Sequence, residues 1–150
     1  MMSGEQKKEL LGKWDIVTWE QRYDDGRITY PLGRSLAGFI RYDPDGTMVC
    51  IIADKDRPRM SGGQWNSPDG DKVCAYTGFF TYSGPYTVAG DIVTHHVEIS
   101  LFPNWEGGDQ KRRFRLEGDR REITARLEEG SAQARTALLA WRRSATPPDR

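Results

Sequence analysis

Apolar and polar residues alternate with a period of two along most of this chain, beginning at Trp14. This period is typical of β-strands with one buried face. Turn-forming sequences such as Asp43-Pro44-Asp45-Gly46 interrupt the alternation at short intervals. The pattern predicts about eight to ten short strands joined mostly by tight turns. Such a meander closes most simply into an all-β, antiparallel, up-and-down barrel with room for one small ligand, and a two-sheet sandwich is the alternative.

Two segments depart from the strand period. The first predicts a short N-terminal helix from Glu5 to Leu11 that covers one end of the fold and stops at Gly12. The second predicts a helical insertion from about Asp71 to Tyr82, with an apolar stripe formed by Val73, Tyr76, Phe79 and Phe80. The connection that precedes the insertion, from Asp54 to Asp71, is broken by Gly and Pro and contains Trp65. Its length and its indole predict a mobile lid over a cavity mouth.

The alternating stretch from Ile92 to Leu101 contains two adjacent histidines, His95 and His96, which must point to opposite faces of a strand. Pairing this stretch with the strand that begins at Gln110 predicts a buried face shared by Val97, Ile99, Leu101, Phe114 and Leu116. His95, Gln110 and Arg112 then lie inside, and His96 and Glu98 lie outside. The opposite assignment, with His96 and Glu98 inside, would bury charged groups and expose aliphatic ones. The alternation therefore favours His95 inside, although a one-residue slip in register would exchange the two faces.

Length, charge and composition limit the domain count, the partners and the location that the sequence allows. A chain of 150 residues with 22 basic and 22 acidic side chains predicts one domain over residues 1–150, with an ordered core from about 9 to 143 and a disordered tail over 144–150. Because the charges balance, the protein has no net electrostatic attraction for nucleic acid or for an anionic membrane, and neither is expected as a partner. The absence of an apolar leader or a membrane-length apolar run predicts a cytoplasmic location. Cys50 and Cys74 predict two buried, reduced thiols.

Several motifs together resemble one family. Gly12-Lys13-Trp14 and Trp141-Arg142-Arg143 are similar to the two ends of a lipocalin barrel, and the stretch from His95 to Trp105 resembles the small lipocalin-like domain family of bacteria and fungi. Tyr30-Pro31-Leu32-Gly33 and Gly38-Phe39-Ile40-Arg41-Tyr42 add to the resemblance, which covers Leu11 to about Trp141. It implies a calycin-type barrel with a central cavity, Trp14 and Trp141 in its floor, and an intracellular role, sometimes in secondary metabolism. We also expect Trp14 to pack near Arg142 or Arg143, since the two chain ends must meet when the barrel closes.

Two functions remain open. The first is binding of a small hydrophobic or aromatic molecule that carries a polar or anionic group, without a cofactor. The predicted ligand-binding residues are Phe39, Tyr42, Trp65, His95, Trp105, Gln110 and Arg112. The second is a cofactor-independent isomerase, cyclase or lyase that uses the same cavity, with His95, His96 or Glu98 as the acid/base groups. A metal site is not expected, because the two histidines diverge and no third exists. Assembly as a homodimer stays open.

Overall fold

The computed structural model describes residues 7–145 and shows a closed antiparallel barrel of eight strands, to which two short strands are added. The described chain begins in a helix, α1, over residues 7–10. A second helix, α2 (Asp69–Thr77), and a 3-10 turn at Pro103–Trp105 complete the helical structure among these residues. The strands are β1 (Gly12–Tyr23), β2 (Ile28–Thr29), β3 (Leu36–Tyr42), β4 (Thr47–Asp54), β5 (Phe79–Ala89), β6 (Ile92–His96), β7 (Ile99–Ser100), β8 (Asp109–Glu117), β9 (Arg120–Leu127) and β10 (Arg135–Arg143).

The first and last strands close the barrel. Antiparallel pairing between β1 and β10 runs from Trp14 opposite Arg143 to Tyr23 opposite Arg135. The remaining barrel strands pair in the order β10, β9, β8, β6, β5, β4, β3 and β1, so that every one of them has two neighbours. Closure leaves no long sheet edge for another chain to extend. The predicted up-and-down barrel is therefore confirmed.

The floor of the barrel is built around Trp14, whose side chain is fully buried. Its indole Nε1 donates a hydrogen bond to the carbonyl oxygen of Leu10 at 2.9 Å, so that α1 is held across the barrel end. The guanidinium of Arg143 lies 4.2 Å from the centre of the Trp14 ring and also donates to the carbonyl oxygen of Leu11. The predicted stacking of a β10 arginine on Trp14 is confirmed, and the attraction of a cation to the indole face stabilises it.

A second arginine completes the floor from inside. Arg121 is fully buried, and its guanidinium carbon lies 4.7 Å from the ring centre of Trp14, 4.9 Å from that of Tyr42 and 5.7 Å from that of Trp141. None of its side-chain nitrogens has a hydrogen-bond partner among the described residues. The aromatic faces therefore provide the favourable electrostatic contacts of this buried cation.

Two bulges change which side chains point inward. On β1 the register passes from Ile16 opposite Trp141 to Thr18 opposite Ala140, which leaves Val17 as an extra residue. The alternation is reversed beyond it, so that Trp19 and not Thr18 turns towards the interior. Strict alternation from Trp14 predicts one face with Trp14, Ile16, Thr18 and Glu20 and the opposite face with Asp15, Val17 and Trp19. Because of the extra residue, this prediction is wrong beyond Ile16.

The second bulge interrupts the predicted strand from Ile92 to Leu101. Between the pairs Tyr86–His95 and Ser83–Ile99 lie two residues on β5 and three on the opposite strand. The extra residue ends β6 at His96 and reverses the alternation before β7 begins. Val97 is consequently buried, as predicted, but the side chain of Ile99 is 65% exposed, so its predicted burial was wrong.

The helical insertion is shorter than predicted. α2 ends at Thr77, and Phe79 to Tyr82 belong to β5, where they pair with β4. Pairing of this backbone with β4 outweighs the weak apolar stripe of the predicted helix. None of the residues of α2 is buried. Cys74 on this helix is exposed, so only Cys50 is a buried thiol.

Some predictions fall outside the described residues. They concern Glu5 and Gln6 of the N-terminal helix and residues 146–150 of the tail. Within the described part of the chain, no helix has the length and apolar character needed to span a membrane.

Candidate functional site

The interior of the barrel contains a cavity of about 390 Å³, in the size range of small-molecule sites. It lies above the floor formed by Trp141, towards the end of the barrel where β1 and β9 finish. Its wall is mostly apolar, and among the residues that the structure describes no aspartate, glutamate or lysine lines it. The lining residues are Trp19, Gln21, Ile40, Cys50, Phe80, Tyr82, His95, Trp105, Gln110, Arg112, Ile123, Ala125, Leu127, Arg135, Ala137, Leu139 and Trp141.

His95 lies in the wall of this cavity with both ring nitrogens engaged by tyrosines. β6 turns the side chain inward, where it is 1% exposed. The hydroxyl oxygen of Tyr42, from β3, is 2.6 Å from His95 Nε2, and that of Tyr82, from β5, is 2.5 Å from Nδ1. Three strands thus contribute one residue each to a hydrogen-bonded unit, which we call the buried Tyr–His–Tyr cluster (Tyr42, His95 and Tyr82).

The electrostatic surroundings keep this cluster uncharged near neutral pH. Burial lowers the pKa of His95 well below 6.5, and the positive charges of Arg112 and Arg121 lower it further. Burial also raises the pKa of both tyrosine hydroxyls well above their usual value of 10. The imidazole therefore carries one proton, and both phenols keep theirs.

Arg112 contributes a cation to the cavity wall without a carboxylate beside it. Its Nη2 donates to Oε1 of Gln110 at 2.5 Å, and its Nη1 donates to the backbone oxygen of Lys111 at 2.9 Å. Arg135, the other lining arginine, donates to Oε1 of Gln21 and forms an ion pair with Glu128. Among the described residues, only neutral groups accept hydrogen bonds from Arg112.

Aromatic rings form the apolar part of the wall. Phe80 contacts Trp19, Tyr82 and Trp105 edge-to-face, with ring centres 5.0 to 5.5 Å apart. Trp105 follows the bulge between β6 and β7 in the chain and also meets Tyr82 edge-to-face at 5.9 Å. Such contacts stabilise the position of each ring beyond its burial alone. The cavity therefore has a rigid aromatic side and a polar side formed by β6 and β8.

The structure separates the predicted site residues into two groups. His95, Trp105, Gln110 and Arg112 line the cavity, and Tyr42 lies behind His95 as its hydrogen-bond partner. The other predicted site residues lie away from the cavity wall. Phe39 lies between the cations of Lys13 and Arg41, Glu98 is exposed, and His96 hydrogen-bonds Asp109 and Thr87 on the outer face.

Trp65 also lies outside the cavity wall. Its side chain is 85% exposed, in the connection between β4 and β5, and no residue of that connection lines the cavity. The connection joins strands at the cavity end of the barrel, because Asp54 ends β4 and Phe79 begins β5 there. A mobile lid in this position stays a prediction.

Most of the other lining residues were not predicted from the sequence, and three of them show why. Alternation places Trp19 on the face opposite Trp14, because no signal in the chain marks the β1 bulge. Tyr82 was assigned to a helix, although its β-favouring neighbours Thr81 and Phe80 were a signal for a strand. Arg135 begins β10, and alternation alone does not show which end of the barrel a residue occupies.

The described residues 7–145 contain no cluster of three or more histidine, cysteine, aspartate or glutamate side chains arranged to hold a metal ion. The chemistry that the wall can supply comes from arginine, amide and phenol donors. Groups of these types can hold a ligand by hydrogen bonding.

A closed eight-stranded up-and-down barrel with an internal cavity defines a calycin-type fold. The model of the lipocalin-like domain family matches residues 11–144. The chain belongs to this family, whose fold suggests small-molecule binding in general. Comparison with curated proteins and with solved structures finds no match to the chain.

Proposed function

We propose that the barrel binds a small, largely apolar molecule whose polar end is negatively charged, and that Arg112 is the partner of that charge. The proposal rests on a cavity-lining arginine that, in the described part of the chain, hydrogen-bonds only neutral groups. Arg112 is half-buried, and a cation partly removed from water is stabilised by an anion that accepts its hydrogen bonds. The ligand supplies that anion. Arg135 needs none, because Glu128 already neutralises it.

The rest of the wall supports an apolar ligand body. Trp19, Phe80 and Trp105 present aromatic surface, and Ile123, Leu127 and Leu139 present aliphatic surface. Burial of apolar ligand area against such side chains contributes about 25 cal/mol per Å². Affinity therefore arises mainly from the apolar wall, and Arg112 selects among apolar molecules by charge.

An enzyme that uses His95 directly as an acid or base is less favoured by these contacts. Both ring nitrogens of His95 already bond tyrosine hydroxyls, so neither is free to reach a ligand atom. His96 and Glu98, the other predicted acid/base groups, do not line the cavity. Binding without conversion is the function that the geometry supports best.

A pair of fluorescent probes tests the proposal. The first probe is 1-anilinonaphthalene-8-sulfonate, and N-phenyl-1-naphthylamine has the same ring skeleton without the sulfonate. We expect Arg112→Gln to weaken sulfonate binding about 10- to 100-fold, since a hydrogen bond to a charged group contributes about 1.5–3 kcal/mol. Binding of the neutral probe should change by less than about threefold.

The matched control is Arg113→Gln. Arg113 is the next residue on β8 and points outward, with a side chain that is 66% exposed and paired with Asp91. This variant removes the same formal charge from the protein but leaves the cavity wall unchanged. Equal loss of both probes in Arg112→Gln, or equal loss of the sulfonate in both variants, would contradict the proposed role of Arg112.

A further inference from the structure

The buried Tyr–His–Tyr cluster has a definite order of donors and acceptors. A neutral imidazole has one N–H donor and one lone pair, so it cannot treat its two tyrosines alike. One tyrosine donates to His95, and the other accepts from it. The tyrosine that accepts keeps its own hydroxyl proton for a third group.

The surroundings of Tyr42 decide which tyrosine donates. Tyr42 is fully buried, and His95 is its hydrogen-bond partner among the described residues. Its ring neighbours are Tyr86, at 4.9 Å between ring centres, and the guanidinium of Arg121, which offers only donors. If Tyr42 accepted from His95, its own proton would have no acceptor, at a cost of about 1–3 kcal/mol.

Tyr42 therefore donates to Nε2, and Nδ1–H of His95 donates to the oxygen of Tyr82. Tyr82 lines the cavity, whereas Tyr42 does not. The hydroxyl proton that has no acceptor within the cluster is therefore that of Tyr82, on the cavity side. A buried hydrogen-bonded unit of this kind orients its last donor before any ligand arrives.

The amide groups of the wall also have unused hydrogen-bond donors. Oε1 of Gln110 accepts from Arg112, and Oε1 of Gln21 accepts from Arg135, so each amide has its NH₂ group left as a donor. These amide orientations follow from the chemistry, because a guanidinium cannot accept a hydrogen bond. Because no aspartate or glutamate of residues 7–145 lines the wall, its polar groups offer donors and almost no free acceptor.

From this arrangement we propose that the ligand is a carbonyl-bearing acid: an apolar ring system with a carboxylate for Arg112 and a ketone-type oxygen that accepts from Tyr82. The inference rests on the proposed function, which it deepens by naming the second polar group of the ligand. A hydroxyl or amine in place of the ketone oxygen would bring a donor to a wall of donors. A hydroxyl oxygen could accept from Tyr82, but its own hydrogen would find almost no free acceptor in this wall, and a protonated amine would bring donors alone. The cavity therefore selects against both.

Two acids that share one skeleton test the inference. Anthraquinone-2-carboxylate has two ring carbonyls, anthracene-2-carboxylate has none, and neither is an alkylating agent for the Cys50 thiol. Titration followed by quenching of tryptophan fluorescence reports binding, since Trp19, Trp105 and Trp141 line the cavity. We expect the quinone acid to bind wild type at least about fivefold more tightly, in line with one added hydrogen bond of about 1 kcal/mol.

Tyr82→Phe should remove this preference, reducing it to less than about twofold while leaving the affinity for anthracene-2-carboxylate nearly unchanged. Tyr86→Phe is the matched control, because its buried hydroxyl donates to the Asp43 carbonyl away from the cavity. That variant should keep the wild-type preference. Equal affinity of wild type for the two acids would overturn the inference and leave the proposed function intact. Binding of neither acid would overturn both.

The proton order is measured separately by ¹⁵N NMR of the histidine rings at pH 7. The chain contains two histidines, so spectra of His96→Gln assign the signals of His95. We expect a protonated Nδ1 and an unprotonated Nε2 in His95. A protonated Nε2 would place the free hydroxyl proton on Tyr42 and overturn the assigned role of Tyr82.

Discussion

His95 is a histidine whose burial has an energetic consequence for the whole protein. Its ring is held between two phenols and near two arginines, with no carboxylate in hydrogen-bond contact. Placing a proton on it would create a buried cation close to the fully buried Arg121 and the half-buried Arg112. The folded state therefore binds this proton less readily than the unfolded chain, and folding stability depends on pH.

We expect the free energy of unfolding to decrease as the pH falls below 6.5. The pKa of His95 is 6.5 when exposed and lies well below that in the folded state, so the unfolded chain binds the additional proton in this range. The slope should approach about 1.4 kcal/mol per pH unit between pH 6 and 5. Urea titrations at several pH values measure it.

The substitution His95→Gln should flatten this slope while lowering stability at pH 7, because it removes the titrating ring and disturbs the cluster. His96→Gln is the matched control, since it removes the neighbouring histidine, whose side chain is 38% exposed. A wild-type slope retained in His95→Gln would show that another group titrates in this range.

The bulge between β6 and β7 depends on a close approach to β5. A Cβ atom built on Gly84 would lie 1.9 Å from the carbonyl oxygen of His96 and 3.0 Å from the backbone nitrogen of Glu98. Only glycine permits this contact between two backbones. The contact lets Glu98 donate to the carbonyl oxygen of Ser83 and lets β7 pair with β5 beyond the extra residue.

Gly84→Ala should therefore destabilise the protein by about 3 kcal/mol, at the upper end of the range for overpacking, because the obstruction is backbone and cannot rotate away. Thermal or urea unfolding measures the change. Gly70→Ala is the matched control: Gly70 lies in the first turn of α2 with no atom within 4 Å of a built Cβ. That substitution should be neutral or slightly stabilising. Similar losses in both variants would argue against the close contact at Gly84.

The molecule as a whole is closed at its floor by residues from both chain ends. Leu10 is fully buried against the core, and its carbonyl oxygen accepts from Trp14. Arg143 reaches back from β10 to the carbonyl oxygens of Glu9 and Leu11. The helix α1, the first strand and the last strand are thereby joined at one point below the cavity.

Leu10→Ala should destabilise the protein by about 2–5 kcal/mol, as expected for a buried leucine whose removal leaves a cavity. Val73→Ala is the control, because Val73 of α2 is 60% exposed. It should change the free energy of unfolding by no more than about 0.5 kcal/mol. Chemical unfolding of both variants provides the comparison. A loss below 1 kcal/mol in Leu10→Ala would show that α1 contributes little to closing the barrel.

The alternation of the chain predicted the barrel, with a two-sheet sandwich as the alternative. The placement of Trp14 and of Arg142 and Arg143 near the two ends of the meander predicted the stacking of an arginine on Trp14. The alternation also predicted that His95, Gln110 and Arg112 share an inward face. These predictions depend on local properties, because side chains on a strand alternate and turn residues end each strand wherever they occur. The signal is repeated over many strands, so one local error does not alter the fold.

The tertiary structure decided the features that depend on contacts between distant segments. Trp19 turns inward, and Ile99 outward, because each follows an extra residue whose presence is defined only by the opposite strand. Tyr82 belongs to β5 because β4 is available to pair with it. The Tyr–His–Tyr cluster brings together residues from three strands, separated in sequence by up to 53 positions. Only closure of the barrel places their hydroxyl and imidazole groups within hydrogen-bond distance, since no local rule connects them.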